Sequence, residues 1–62
     1  MSTNRLRVVL VDDHAMVRAG VRSEIGGVFE IVGEAADAPE AIAIILKTKP
    51  DVVLLDVHLP GG

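Results

Sequence analysis

The sequence contains no cysteine and a single aromatic residue, Phe29. Without thiols, the chain can form neither disulfides nor a thiolate metal site. Without exposed aromatic rings, it has no platform on which nucleic-acid bases could stack. A net charge of −3 also argues against a nucleic-acid-binding surface.

Long apolar runs and a signal peptide are missing as well. No segment approaches the ~20 apolar residues of a membrane span. The polar amino terminus, Met1 to Arg5, lacks the apolar core of a signal peptide. We therefore expect a cytoplasmic protein with no membrane association. With 62 residues, the chain lies near the lower size limit for a domain that folds without cross-links or metal.

Two short aliphatic runs each lead directly into acidic residues. Residues 8–11 precede Asp12 and Asp13, and residues 52–55 precede Asp56. An unbroken aliphatic run is typical of a parallel strand that is buried on both faces. The carboxyl ends of parallel strands meet at one edge of a sheet, where open α/β sheets bind their ligands. We therefore expect the three carboxylates to lie together.

Such a cluster of carboxylates is unstable without compensation. Two unit charges ~4 Å apart repel by about 4 kcal/mol at an effective dielectric of ~20. The cluster persists only if a cation neutralises it or if a carboxylate takes up a proton. This argument favours an oxygen-ligated divalent metal.

The hydrophobic pattern predicts the element order β-α-β-α-β, with connections long enough for right-handed crossovers. Strands are expected over residues 6–11, 29–34 and 51–55. Helices are expected over residues 15–25 and after Asp37, with Pro50 stopping the second helix. Gly26 and Gly27 should end the first helix, and Asp37 with Glu40 has the spacing of a capping box.

Each predicted helix carries an apolar stripe that we assign to the core. The stripes consist of Val17, Val21 and Ile25 with Glu24 on the first helix, and of Ala41, Ile42, Ile45 and Leu46 on the second. The four arginines are expected on solvated faces; they are Arg5, Arg7, Arg18 and Arg22. Arg18 is expected near enough to the acidic edge to modulate the docking of a partner.

A three-stranded unit of this kind leaves its third strand with an unpaired apolar edge, which favours aggregation. Doubly wound domains typically have ~100–150 residues. Residues 1–62 are therefore expected to form the N-terminal half of such a domain. Alone, this half should be marginally stable, swapped or associated with something that covers the edge.

The acidic turns and their surroundings resemble the receiver domain of two-component response regulators. The resemblance rests on Val11-Asp12-Asp13-His14 and on residues 53–61, VLLDVHLPG. The pattern DDH-x-x-VR-x-GV over residues 12–21, with Val32-Gly33-Glu34-Ala35, is similar to the NarL/FixJ (LuxR-type) branch. Members of that branch carry a helix-turn-helix DNA-binding output domain. The resemblance covers essentially the whole chain but only the first half of the family's domain.

The resemblance implies a flavodoxin-like parallel sheet, truncated here to three strands in the order 2-1-3. It implies that Asp56 is the phosphoacceptor. It also implies an Mg²⁺ site in which Asp13 binds the metal directly, Asp12 holds a metal-bound water, and Asp56 and the backbone carbonyl of His58 complete the protein ligands. These oxygen donors are the ones that Mg²⁺ prefers.

The resemblance further implies partners for a longer parent protein. A sensor histidine kinase would supply the phosphoryl group, and a C-terminal output domain absent from this sequence would bind DNA. The parent could act as a homodimer. The family's switch Ser/Thr after strand four and its Lys after strand five have no counterpart here, so efficient phosphorylation and switching are not expected of these residues alone.

Other interpretations stay open. Asp56 could be the nucleophile of an Mg²⁺-dependent phosphohydrolase, although that class would want an acid two residues later, where this chain has His58. The chain could instead be a receiver-like interaction module that is not phosphorylated. His14 and His58 could bind Zn²⁺, Mn²⁺ or Fe²⁺ with Asp13 and Asp56. In the simplest case, the aspartates only cap turns.

Overall fold

The computed structural model describes residues 5–55, and their secondary structure follows the predicted order. The elements are β1 (Arg7–Val11), α1 (Ala15–Ile25), β2 (Glu30–Ala35), α2 (Ala38–Thr48) and β3 (Val52–Leu55). Each strand begins one residue later than expected, and β2 also ends one residue later. Within residues 5–55, neither helix is long and apolar enough to cross a membrane.

The three strands form one parallel sheet in the order β2-β1-β3, as predicted. The strand β1 lies in the middle, and its last residue, Val11, pairs with Ala35 of β2 and with Leu55 of β3. The carboxyl ends of all three strands therefore lie side by side. The loop that follows β1 starts from the centre of this edge.

The core lies between the sheet and α2. Val9 and Val11 point to this face and are buried together with Ala35 of β2 and Ala41 of α2. Around them pack the partly buried side chains of Val32, Ile44 and Ile45. Burial of aliphatic area at ~25 cal/mol per Å² makes this cluster the main stabilising contact of the described fold.

Gly33 allows α2 to approach β2 closely. A Cβ atom at this position would lie 3.0 Å from two carbon atoms of the Ile44 side chain. The pairing of β1 with β2 is irregular beside it, because Val8 pairs with Ile31 whereas Val9 pairs with Gly33. A residue is thus skipped in β2, which is a local bulge.

Two of the four residues in the predicted apolar stripe of α2 do not face the core. Ile42 and Leu46 are 59% and 69% exposed among the described residues, and Ile44 packs on the core instead. The buried face runs through Ala41, Ile44 and Ile45, a spacing of three and four residues that follows one side of a helix. Because α2 is apolar on almost all sides, its sequence alone did not determine which side meets the sheet.

The predicted apolar stripe of α1 is at most partly buried, and β3 is not buried on both faces as expected. No residue of α1 is buried, and Val17 is 48% exposed. In β3, exposure reaches 61% at Leu55. A groove of about 240 Å³ separates Val17 and Val21 of α1 from Leu54 of β3, so the described residues do not close this side of the sheet.

The ends of α2 are formed largely as predicted. The Asp37 carboxylate accepts a hydrogen bond from the backbone N–H of Glu40 at 2.8 Å, and Pro39 lies in the first turn. The Glu40 carboxylate bonds back to the N–H of Ala36, one residue before the capping-box position. Lys49 ends the helix in the left-handed region, with φ 49°, and its N–H donates to the carbonyl of Ile45 at 2.8 Å, which is a common way for a helix to end.

Arg7 is not on a solvated face, contrary to expectation. Its guanidinium donates hydrogen bonds to the carbonyls of Thr48, at 2.6 Å, and Lys49, at 3.1 Å. These carbonyls have no partner within the helix, and a cation at the carboxyl end also interacts favourably with the helix dipole. Arg7 therefore joins the start of β1 to the end of α2.

The first helix ends at Gly26, as predicted. Gly26 keeps right-handed helical angles, and its N–H donates to the carbonyl of Arg22 at 2.8 Å. A Cβ atom on Gly26 would lie 2.6 Å from that same carbonyl oxygen. Close approach, and not a left-handed turn, is what requires glycine here.

Candidate functional site

Asp12 is the first residue after β1 and is fixed at both ends of its backbone. Its N–H donates to the carbonyl of Ala35 at 3.0 Å, which continues the ladder to β2. Its own carbonyl accepts a hydrogen bond from the guanidinium of Arg18. The loop that leaves the centre of the sheet is therefore held from two sides.

The Asp12 carboxylate accepts a hydrogen bond from the backbone N–H of His14 at 2.8 Å. This hydrogen bond is the main reason why the pKa of Asp12 is lower than its ordinary value, and the nearby His14 ring and the Arg18 cation act in the same direction against the effect of burial. Asp12 is therefore ionised at neutral pH and offers oxygen lone pairs at this edge.

Asp13 and His14 complete a compact group of donors. The Nδ1 atom of His14 lies 2.8 Å from Oδ1 of Asp13 and 3.2 Å from Oδ1 of Asp12. One donor atom from each of the three residues lies within 4.8 Å of the others. His14 is predicted mainly as a residue at the start of α1, and it does occupy the N-cap position. However, its side chain makes no capping bond and contacts the two acids instead.

Arg18 is the clearest departure from the predicted site. We expected it on a solvated face, but its side chain is only 18% exposed. Its Nε donates to Oε1 of Glu34 at 3.1 Å, and its Nη1 donates to the carbonyl of Asp12. The other oxygen of Glu34 accepts from Nη1 of Arg22. Arg22 itself is about half exposed and was correctly expected near solvent.

Glu34 lies in β2 opposite Leu10 of β1, one residue before the strands end. Burial alone would raise the pKa of Glu34, but the hydrogen bonds from Arg22 and Arg18 outweigh burial and hold this pKa below its ordinary value. The sequence does contain a signal for this cluster: Arg18 and Arg22 are four residues apart, on one face of α1. Pairing them with Glu34 additionally requires the strand order, which places β2 next to β1.

Asp56 and His58 lie outside the described residues, so their predicted roles stay predictions. The described register ends with Val11 opposite Leu55. Asp12 and Asp56 are the residues that follow Val11 and Leu55 in the sequence. Of the predicted ligands, the structure therefore describes Asp12 and Asp13 and brings them together with His14.

Residues 8–62 match the family of the response regulator receiver domain. The chain belongs to this family. The fold agrees: the signal receiver domain of NarL from Mycobacterium tuberculosis is similar to this chain with a TM-score of 0.86 and 41% sequence identity. The match covers 95% of this chain and 49% of that one. The predicted family, fold class and strand order are therefore confirmed.

Curated relatives of this receiver chain are described as response regulators or transcriptional regulators. A nitrate/nitrite response regulator protein homolog from Haemophilus influenzae is 37% identical over 60 residues, which are 94% of this chain and 29% of the relative. The DNA-binding transcriptional activator DevR/DosR from Mycobacterium tuberculosis is 44% identical over 59 residues, which are 92% of this chain and 27% of the relative. The receiver chain thus spans less than a third of these relatives and about half of the solved receiver domain.

Proposed function

We propose that residues 1–62 are the N-terminal half of a phosphoacceptor receiver domain, in which Asp56 takes a phosphoryl group from a sensor histidine kinase. The observation that carries this proposal is the parallel register of β1 and β3, which ends at Val11 and Leu55. Acidic residues follow both strands in the sequence, and those after β1 already form a compact donor group.

The donor set at this edge fits Mg²⁺. Carboxylate oxygens of Asp12 and Asp13 lie close together, and their side chains are 18% and 31% exposed, so a hydrated cation can reach them. Mg²⁺ prefers oxygen ligands and keeps several waters. The proposed protein ligands are Asp12, Asp13, Asp56 and the carbonyl of His58. When bound, Mg²⁺ would offset the repulsion between the incoming phosphoryl oxygens and the acidic cluster.

The protein's own part in the transfer is mainly positioning. A carboxylate oxygen of Asp56 would form a bond to phosphorus while the bond from phosphorus to a kinase histidine nitrogen breaks. Phosphoryl transfer needs alignment and charge neutralisation more than a protein acid or base. The loop held by Ala35 and Arg18 supplies that alignment on the β1 side. His14, with a 66% exposed ring, can swing away from the two carboxylates when a cation binds.

The full-length protein would then act as a regulator of transcription. The relatives that carry this description extend well beyond the matched region, since this chain covers 27–29% of those named above. We therefore assign DNA binding and any dimerisation to further segments of the parent protein and not to these residues.

The assignment of Asp56 is tested by phosphorylation of the full-length protein with a small phosphodonor and Mg²⁺. We expect one phosphoryl group per protein, labile to hydroxylamine as an acylphosphate is, and none in the Asp56→Asn variant. Asp37→Asn is a matched control, because Asp37 also follows a strand at this edge and asparagine can still cap α2.

An acid-stable product, or labelling that survives in Asp56→Asn, would contradict the proposal. Sustained turnover of a generic phosphomonoester would instead identify the phosphohydrolase. If the wild-type protein is neither labelled nor binds Mg²⁺, the unphosphorylated interaction module is the correct interpretation.

A further inference from the structure

We infer that Arg18 is a positioning residue for the metal-binding loop, an inference that rests on the proposed function. Its guanidinium joins the carbonyl of Asp12 to the carboxylate of Glu34. Arg18 thus ties the loop after β1 to the neighbouring strand β2 and, through its own backbone, to α1. Arg18 is not itself a predicted metal ligand, and its hydrogen bond to Asp12 is made to the backbone carbonyl and not to the carboxylate.

The contact to the Asp12 carbonyl constrains the backbone that carries both acids. That carbonyl and the N–H of Asp13 belong to one planar peptide unit. Fixing the carbonyl therefore fixes the plane from which the Asp13 side chain departs. The preceding peptide unit is fixed by the hydrogen bond from Asp12 N–H to Ala35. With both units held, the backbone that carries the two carboxylates is in place before any cation arrives.

Arginine suits this task better than lysine. Its planar guanidinium presents several N–H donors in a rigid fork, so Nε can bond Glu34 while Nη1 bonds the Asp12 carbonyl. A lysine ammonium carries the same charge on a flexible chain and cannot reproduce that geometry. Arg22, one turn further along α1, donates to the other oxygen of Glu34.

Charge and positioning have opposite effects on Mg²⁺ binding, which makes the inference testable. A cation beside the acidic pair weakens Mg²⁺ binding by repulsion, whereas orientation of the ligands strengthens it. Arg18→Lys keeps the charge and removes the fork, so any loss of affinity reports on positioning. Arg22→Lys is the matched control, since Arg22 lies on the same helix and contacts Glu34 but not Asp12.

The experiment is a calorimetric Mg²⁺ titration of the full-length protein and its variants, at fixed pH and ionic strength. Residues that orient metal ligands typically contribute 10- to 100-fold to affinity, so we expect Arg18→Lys to raise the Kd about tenfold. Glu34→Gln should raise the Kd by a smaller factor, about threefold, because the hydrogen bond that anchors Arg18 is weakened when its acceptor loses the negative charge. Arg22→Lys should stay within about twofold of wild type. Saturating Mg²⁺ should restore the phosphorylation rate of Arg18→Lys, which a general loss of structure would not allow.

The outcomes separate this inference from the proposed function. A wild-type protein that does not bind Mg²⁺ would overturn both. If the wild type binds and Arg18→Lys is unchanged, binds more tightly, or matches Arg22→Lys, only the positioning role is wrong. Should Arg18→Lys fail to fold, Glu34→Gln decides, and unchanged affinity in that variant would overturn the inference.

Discussion

Glu34 accepts hydrogen bonds from two arginines of α1 and keeps a lowered pKa in the folded protein. A carboxylate whose pKa is lower in the folded than in the unfolded state stabilises the fold at pH values above its unfolded-state pKa. This contribution is lost as the pH falls through its folded-state pKa. Ionised Glu34 should therefore stabilise the fold above its ordinary pKa of 4.5, and this contribution should vanish in acid.

We predict that Glu34→Gln lowers the free energy of unfolding by about 1 kcal/mol at pH 7, because two charge-assisted hydrogen bonds are weakened. As the pH falls below 4.5 and through the lowered pKa of folded Glu34, the wild-type advantage should shrink towards zero. Denaturant unfolding of the full-length protein at pH 7 and over a series of acidic pH values measures this difference. Glu30→Gln, at an exposed position on the same strand, is the control. A pH-independent difference would mean that the ion cluster does not stabilise the fold.

Some residues of the site were predictable from the sequence and others were not. Asp12 and Asp13 were predictable because an acidic pair directly follows an aliphatic run. The contacts of Arg18 were not, since its partners are a backbone carbonyl and a carboxylate sixteen positions away along the chain. A backbone acceptor carries no residue-type signal at all. Arg7 was misassigned for the same reason, because it bonds the carbonyls at the end of α2.

Among the elements, α2 shows that local signals predict helix ends better than helix faces. Its N-cap was predictable because the Asp37–Glu40 spacing and Pro39 act within one turn. Its buried face was not, because apolar residues occur on nearly all sides and only the sheet selects among them. The misassignment of Ile42 and Leu46 follows from this ambiguity.

The Asp37 cap makes a quantitative prediction at this scale. Asp37→Ala should lower the free energy of unfolding by about 1 kcal/mol, since the N–H of Glu40 loses its acceptor. Asp37→Asn should cost much less, because the amide oxygen can replace the carboxylate. Thermal or denaturant unfolding of both variants distinguishes the two. Equal losses would show that charge, and not the cap, is what Asp37 contributes.

For the whole molecule, the topology was predictable and the burial only in part, since residues 8–11 of β1 are buried as expected and those of β3 are not. Aliphatic runs, helical spacing and right-handed crossovers predict a parallel βαβαβ unit, and the resemblance to receiver domains adds the strand order with β1 in the middle, which is the observed order. The aliphatic run of β3 predicted burial on both faces, which the exposure of Leu54 and Leu55 contradicts, whereas the position of β3 at an edge of the described sheet was expected. Hydrophobic composition indicates what a segment can bury, whereas actual burial depends on what packs against it. The expected association of residues 1–62 through this edge stays a prediction.

The central claim concerns the meeting of three acids, two after β1 and one after β3, around a single cation. Mn²⁺ uses similar oxygen ligands to Mg²⁺ and broadens the NMR signals of nuclei close to it. In a titration of the full-length protein with small amounts of Mn²⁺, the amide signals of Asp12, Asp13 and Asp56 should broaden together, and Mg²⁺ should reverse the effect. If the Asp56 signal stays sharp while those of Asp12 and Asp13 broaden, the three acids do not share a metal site and the account is wrong.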